Sequence, residues 1–127
     1  MTRKILLVDD SLVARKILRK CLADEQGYEV HEACDGLEGV RKYSEIKPDI
    51  TLMDLTMPVM GGLEALAEIK KLCEDAIVIV QTADIQVKSV FLAMESGAFM
   101  VLKKPMTKEK IHEAIMKADE ELRSSGQ

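Results

Sequence analysis

The stretch DITLMDLTMPVMGGLEALAEIKKL, residues 49–72, reads as one strand–loop–helix unit. Its first five residues form an apolar run of strand length. Leu63, Leu66, Ile69 and Leu72 then recur at helical spacing, and the loop between them begins with an acid, Asp54. The same unit is legible elsewhere. Apolar runs at 4–8 (KILLV), 28–33 (YEVHEA), 76–80 (AIVIV) and 99–102 (FMVL) each fit a strand. Runs one, three and four are apolar throughout, as buried parallel strands are. The second alternates, with Val30 and Glu32 on opposite kinds of side, and reads as an edge strand.

Helical patterns fill the gaps. Val13, Ile17 and Cys21, with Leu18 and Leu22, make the first stripe. Leu37 and Val40 begin a second helix, opened by Asp35 with Glu38 three residues on, a capping-box-like pair. Val87, Val90, Phe91 and Met94 mark the fourth, ended by Ser96-Gly97. Ile111, Ala114, Ile115, Ala118 and Leu122 mark the fifth, with Thr107 as cap. Strand and helix alternate five times. The expected class is α/β, a doubly wound five-stranded parallel sheet with five helices and right-handed crossovers. One domain over residues 1–127 is expected, with no effector segment after the fifth helix.

Composition narrows the function classes. A net charge of −4 argues against direct nucleic-acid binding or adhesion to an anionic membrane. Cys21, Cys34 and Cys73 are odd in number and form no C-x-x-C pair, so neither a disulfide framework nor a zinc site is expected. They read as small core residues in a reducing cytosol. No run approaches a membrane span, and Ile5–Val8 is too short for a signal peptide. A cytoplasmic location is the expectation.

In such sheets function sits at the carboxyl ends of the strands. Asp9 and Asp10 follow the first run, Asp54 the third, Thr82 the fourth, and Lys104 and Pro105 the fifth. Three carboxylates gathered on a partly buried rim repel one another, and a hard divalent cation resolves this. All-oxygen ligands suit Mg²⁺ and also Mn²⁺. A carboxylate can attack phosphorus, a lysine can pair with a phosphoryl oxygen, and a threonine hydroxyl can hydrogen-bond another. Asp9 and Asp10 with Ser11 would also suit a helix cap, but a cap does not account for residues converging from other strands. His31 and His112 are isolated and read as surface residues. The Met-rich stretch 57–60 reads as loop packing.

The motifs VDDS, MDLTMPVMGG, QTAD and KKP, in that order, resemble the receiver family of two-component signalling over essentially the whole chain. The resemblance implies a flavodoxin-like strand order 2-1-3-4-5. It implies Asp54 as phosphoacceptor. Asp10, Asp54 and the backbone carbonyl of Thr56 would bind Mg²⁺ directly, and Asp9 largely through water. Thr82 and Lys104 would contact the phosphoryl group, the Lys104–Pro105 peptide would be cis, and Gly62 would take the loop glycine's place. A sensor histidine kinase or phosphotransfer protein would supply the phosphoryl group. An output protein would be met through the fourth helix, fifth strand and fifth helix, with Lys88, Ser89, Leu92, Lys103 and Lys108. No enzymatic turnover is implied beyond the chain's own phosphotransfer and dephosphorylation.

The chain departs from that family at Val101, where an aromatic ring is usual. A valine has no ring to swing inward. Phe99, two residues earlier, is expected on the same face. Gly61 stands where the family often has an acid, and Thr56 and Asp84 occupy positions that tune phosphoryl lifetime. A phosphatase of the haloacid-dehalogenase type would need a second acid at Thr56. A flavodoxin-like nucleotide module would not place Asp-Asp-Ser where phosphate is cradled. A receiver that serves only as an interaction module, without phosphorylation, stays open, because of Val101.

Overall fold

A computed structural model describes residues 3–57, 59–83 and 86–125; Asp84 and Pro58 lie outside the described residues. Ten elements alternate: β1 (Arg3–Val8), α1 (Leu12–Leu22), β2 (Tyr28–Ala33), α2 (Gly36–Ile46), β3 (Ile50–Asp54), α3 (Gly62–Leu72), β4 (Ile77–Thr82), α4 (Val87–Glu95), β5 (Met100–Lys103) and α5 (Lys108–Ser124). The five strands are parallel, in the order β2-β1-β3-β4-β5. Strand order reverses between β1 and β3, which opens a crevice at their carboxyl ends.

Alternation along each strand feeds two cores. Ile5 and Leu7, Ile50 and Leu52, and Ile77 and Ile79 pack with α1 and α5 through Leu18, Cys21, Leu22, Ile111 and Ile115. Leu6 and Val8, Met53, and Val78 and Val80 pack on the other face with Tyr43 of α2, Leu66 and Ile69 of α3, and Ala93 of α4. β3 and β4 are buried at every position, which explains their unbroken apolar runs. Local signals hold the helix ends. The side chains of Ser11, Asp35 and Thr107 cap α1, α2 and α5. Glu38 reaches back to the Cys34 N–H at 2.7 Å. Gly97, at φ 103°, lets the chain leave α4 in the left-handed region.

Several expectations are corrected. Val30 and Glu32 share one face of β2, two residues apart: Val30 packs against the α1–α5 core, and Glu32 pairs with Arg15 and Arg19 of α1. Of the first helix's stripe only Leu18, Cys21 and Leu22 are buried, and Val13 and Ile17 are exposed. On α4 the apolar periodicity faces outward. Val87, Phe91 and Met94 are exposed and only Ala93 is buried, because α4 lies over the sheet's margin. Cys21 is buried, but Cys34 and Cys73 are exposed, since both lie in the turns that flank helices. Phe99 precedes β5 and joins the α1–α5 core, while Val101 joins the opposite one, so the two do not share a face. No helix among the described residues is long and apolar enough to cross a membrane.

Candidate functional site

Every strand brings its last residues to one rim. Asp9 follows β1 and is fully buried, Asp54 ends β3 at 6% exposure, and Lys104 follows β5. The Lys104 ammonium lies 3.2 Å from Asp9 Oδ2 and 3.3 Å from Asp54 Oδ1, so one cation bridges two carboxylates. Asp10 is exposed but still contributes: one carboxylate oxygen from each of Asp9, Asp10 and Asp54 lies within 4.8 Å of the others. Sequence separations of 45 and 95 residues from Asp9 thus collapse to within 4.8 Å.

The electrostatics show what this gathering costs. Burial, then the Asp9 charge, push the Asp54 carboxyl above its usual range, against the pull of Lys104 and of the Thr56 N–H that it accepts. Burial alone would lower Lys104, but the charges of Asp54 and Asp9 outweigh it and hold the ammonium above its ordinary value. A buried carboxylate pair with one shared cation is short of positive charge. The three-carboxylate donor set, all hard oxygen, is what Mg²⁺ or Mn²⁺ takes.

The backbone around these groups is closely set. Asp9 Oδ1 accepts the Ser11 N–H at 2.9 Å, which leaves Oδ2 to Lys104. Ser11, and not either aspartate, caps α1 through its hydroxyl. A Cβ at Gly62 would meet the Asp54 carbonyl oxygen at 2.2 Å, so only glycine lets α3 start against the end of β3. In the same loop Val59 holds φ 67°, a strained setting for a β-branched residue. The Lys104–Pro105 peptide is cis, as the resemblance implied.

Thr82 is buried at the end of β4, and its carbonyl accepts the Lys104 N–H at 2.8 Å. It follows Val78 and Val80 on the α3–α4 face and borders a cavity of about 430 Å³ with Leu55, Thr56, Leu63 and Leu92. The exposed Thr56 lies two residues beyond Asp54.

Three residues escaped the sequence reading. Arg15 donates from Nη1 to the Asp9 carbonyl at 2.6 Å and from Nε to Glu32 at 2.7 Å, fixing the β1–α1 turn. Lys110 donates to the carbonyls of Lys103 and Pro105 at 2.7 and 3.0 Å, bracing both sides of Lys104. Gln81 is the register partner of Asp54, buried to 1% exposure. None had a signal of its own. A charged residue on a helix or a polar one in a strand acquires meaning only from what the fold sets beside it.

Comparison with known proteins agrees with this fold. The family model for the response regulator receiver domain matches residues 5–116. The chain is 42% identical to the chemotaxis protein CheY of Listeria monocytogenes over 115 residues, 91% of this chain and 97% of that protein. Among solved structures it is similar to a CheX–CheY–BeF₃–Mg²⁺ complex from Borrelia burgdorferi (TM-score 0.86, 31% identity, 91% of this chain and 87% of that one). A CheY-like receiver domain protein from Methanospirillum hungatei superposes with a TM-score of 0.89 at 28% identity, over 98% of this chain and 99% of that one.

Proposed function

Because the chain belongs to the response regulator receiver domain family, we propose that it is a phosphorylation switch of two-component signalling, with Asp54 as the phosphoacceptor. The observation that carries this reading is the Lys104 bridge between Asp9 and Asp54, inside a cluster of three carboxylates whose charge one ammonium does not balance.

Asp9, Asp10 and Asp54, with the Thr56 carbonyl, are the oxygens that would hold Mg²⁺, and the Borrelia relative was crystallised with that ion. The bound ion would neutralise charge on the phosphoryl oxygens during transfer. The chain's own residues do the rest. An Asp54 carboxylate oxygen attacks phosphorus. The phosphorus–nitrogen bond of a phosphohistidine breaks as the phosphorus–oxygen bond forms, and the imidazole nitrogen leaves with the bonding pair. Lys104 turns from Asp54 to a phosphoryl oxygen, and the Thr82 hydroxyl donates to another. Hydrolysis by water returns Asp54 and inorganic phosphate. The donor is a sensor histidine kinase or a phosphotransfer protein. The output partner meets α4, β5 and α5, where Val87, Phe91 and Leu92 are exposed.

The test is intact mass of wild type and Asp54→Ala after incubation with acetyl phosphate or phosphoramidate, with Mg²⁺ or with EDTA. A mass gain of one phosphoryl group, dependent on Mg²⁺ and absent in the variant, is the expected result. No gain with either donor overturns the reading and leaves the interaction module.

A further inference from the structure

Gln81 has no place in that mechanism, yet it sits beside it. It is paired in register with Asp54 on one side and Leu102 on the other. Ile77 and Ile79 pack into the α1–α5 core, so alternation sends the Gln81 side chain to that face. The same rule places Asp54 after Leu52, and Lys104 after Leu102, on that face. Gln81 therefore lies between the phosphoacceptor and the strand that carries the lysine. Its side chain is among the largest fully buried ones, and its Nε2 has no hydrogen-bond partner.

A buried amide without a partner costs stability, and an apolar side chain of the same volume would not. Such a group calls for a state in which it is satisfied. Phosphorylation supplies one. In the resting protein Asp54 Oδ1 is held by Lys104. Once Asp54 is an acyl phosphate its carboxyl loses its charge, the negative charge moves outward to the phosphoryl oxygens, and Lys104 follows it. With Lys104 gone, the still-buried Asp54 carboxyl group has acceptor capacity open to a donor from within the sheet, beside the Thr56 N–H and the metal it would hold.

We infer that Gln81 is a positioning residue of the phosphoacceptor: its carboxamide is idle while Lys104 bridges Asp9 and Asp54, and donates to the Asp54 carboxyl group when Lys104 moves to the phosphoryl group. The inference rests on Asp54 being the phosphoacceptor. In its role Gln81 fixes the rotamer of the acyl phosphate. It thereby sets how long the phosphoryl group survives, because a fixed rotamer limits the approaches open to water.

The experiment is side-chain amide NMR of the full chain, uniformly labelled with nitrogen-15, with and without beryllofluoride and Mg²⁺. It is read beside phosphoryl lifetime in Gln81→Met and Gln81→Leu. Expected are a downfield shift and slowed exchange of the Gln81 amide protons in the beryllofluoride state, a raised Tm in at least one variant, and a phosphoryl lifetime shortened severalfold. Backbone shifts at Thr82 and Lys104 without any change at the Gln81 side chain would overturn this inference alone. Gln81 protons already protected in the resting protein and unmoved by beryllofluoride would mean that a buried water satisfies them, and would overturn it too. No response anywhere in the wild type would overturn the phosphoacceptor reading and this inference with it.

Discussion

The two edges of the sheet are built differently. At one edge all six residues of β2 are in register with β1, and the strand is tied down by charge. Glu32 accepts from Arg15 and Arg19, and the Lys42 ammonium reaches the Glu32 carbonyl. At the other edge β5 offers four registered residues, three of them half-buried and the last exposed. α4, beside it, buries only Ala93. The candidate site lies between the two and touches both. Arg15 holds the Asp9 carbonyl from the β2 side, and Lys104 arrives from the end of β5. Elements that move are drawn from the less stable end of a fold. A charge change at Asp54 therefore has a fixed wall on one side and a movable one on the other.

The largest expected effect comes from removing the cation at the middle. Lys104→Met leaves Asp9 and Asp54 facing each other with no shared ammonium. Breaking a mostly buried pair by deleting one partner costs about 3 kcal/mol. Chemical unfolding in EDTA measures it, and added Mg²⁺ should recover part of the loss by binding the folded state. A cost under about 1 kcal/mol would mean that the rim is solvated and the bridge weak.

Hydrogen exchange tests the comparison directly. Amides of α4 and β5 should exchange at least about tenfold faster than those of β2 and α1, corresponding to about 1.4 kcal/mol of easier local opening. Uniform protection across the sheet would break the contrast. A smaller effect belongs to the fixed edge. Glu32→Gln should destabilise by about 1 kcal/mol at neutral pH, since two arginine contacts are weakened. The Arg19 contact foremost, then that of Arg15, lower the Glu32 carboxyl below its usual range, against burial. A lowered folded-state pKa gives stability that is present above the ordinary carboxylate range and lost as pH falls through the lowered one. The difference between wild type and variant should therefore vanish in acid, which urea unfolding at two pH values reads.

Much of this was legible in the sequence because strands and their ends follow a simple period. The runs at 49–53 and 76–80 announced buried strands, and the residues after them announced the rim where Asp54 and Thr82 stand. Helix α4 was legible from the spacing of Val87, Phe91 and Met94, but its exposed face was not, because periodicity does not say what faces a stripe. Glu32 looked like the solvent side of an alternating strand, since its arginines lie on a helix that sequence cannot place above it. Gln81 needed the register, which no local pattern supplies.

The smallest effect on stability is expected at Phe91, and that smallness is the argument. The ring is 60% exposed, so Phe91→Ser should change stability by no more than about 0.5 kcal/mol. Phosphoryl labelling at Asp54 should also be unchanged, because Phe91 belongs to the face proposed for the output partner. Leu37 on α2 is 50% exposed and serves as the control at the other edge. An apolar fluorescent dye should bind more strongly when beryllofluoride and Mg²⁺ are added, if activation rearranges the exposed apolar face of α4. Phe91→Ser should lose that gain and Leu37→Ser should keep it. Equal loss in both would mean that the dye reports general loosening. Gain kept in Phe91→Ser and lost in Leu37→Ser would put the moving wall at the wrong edge.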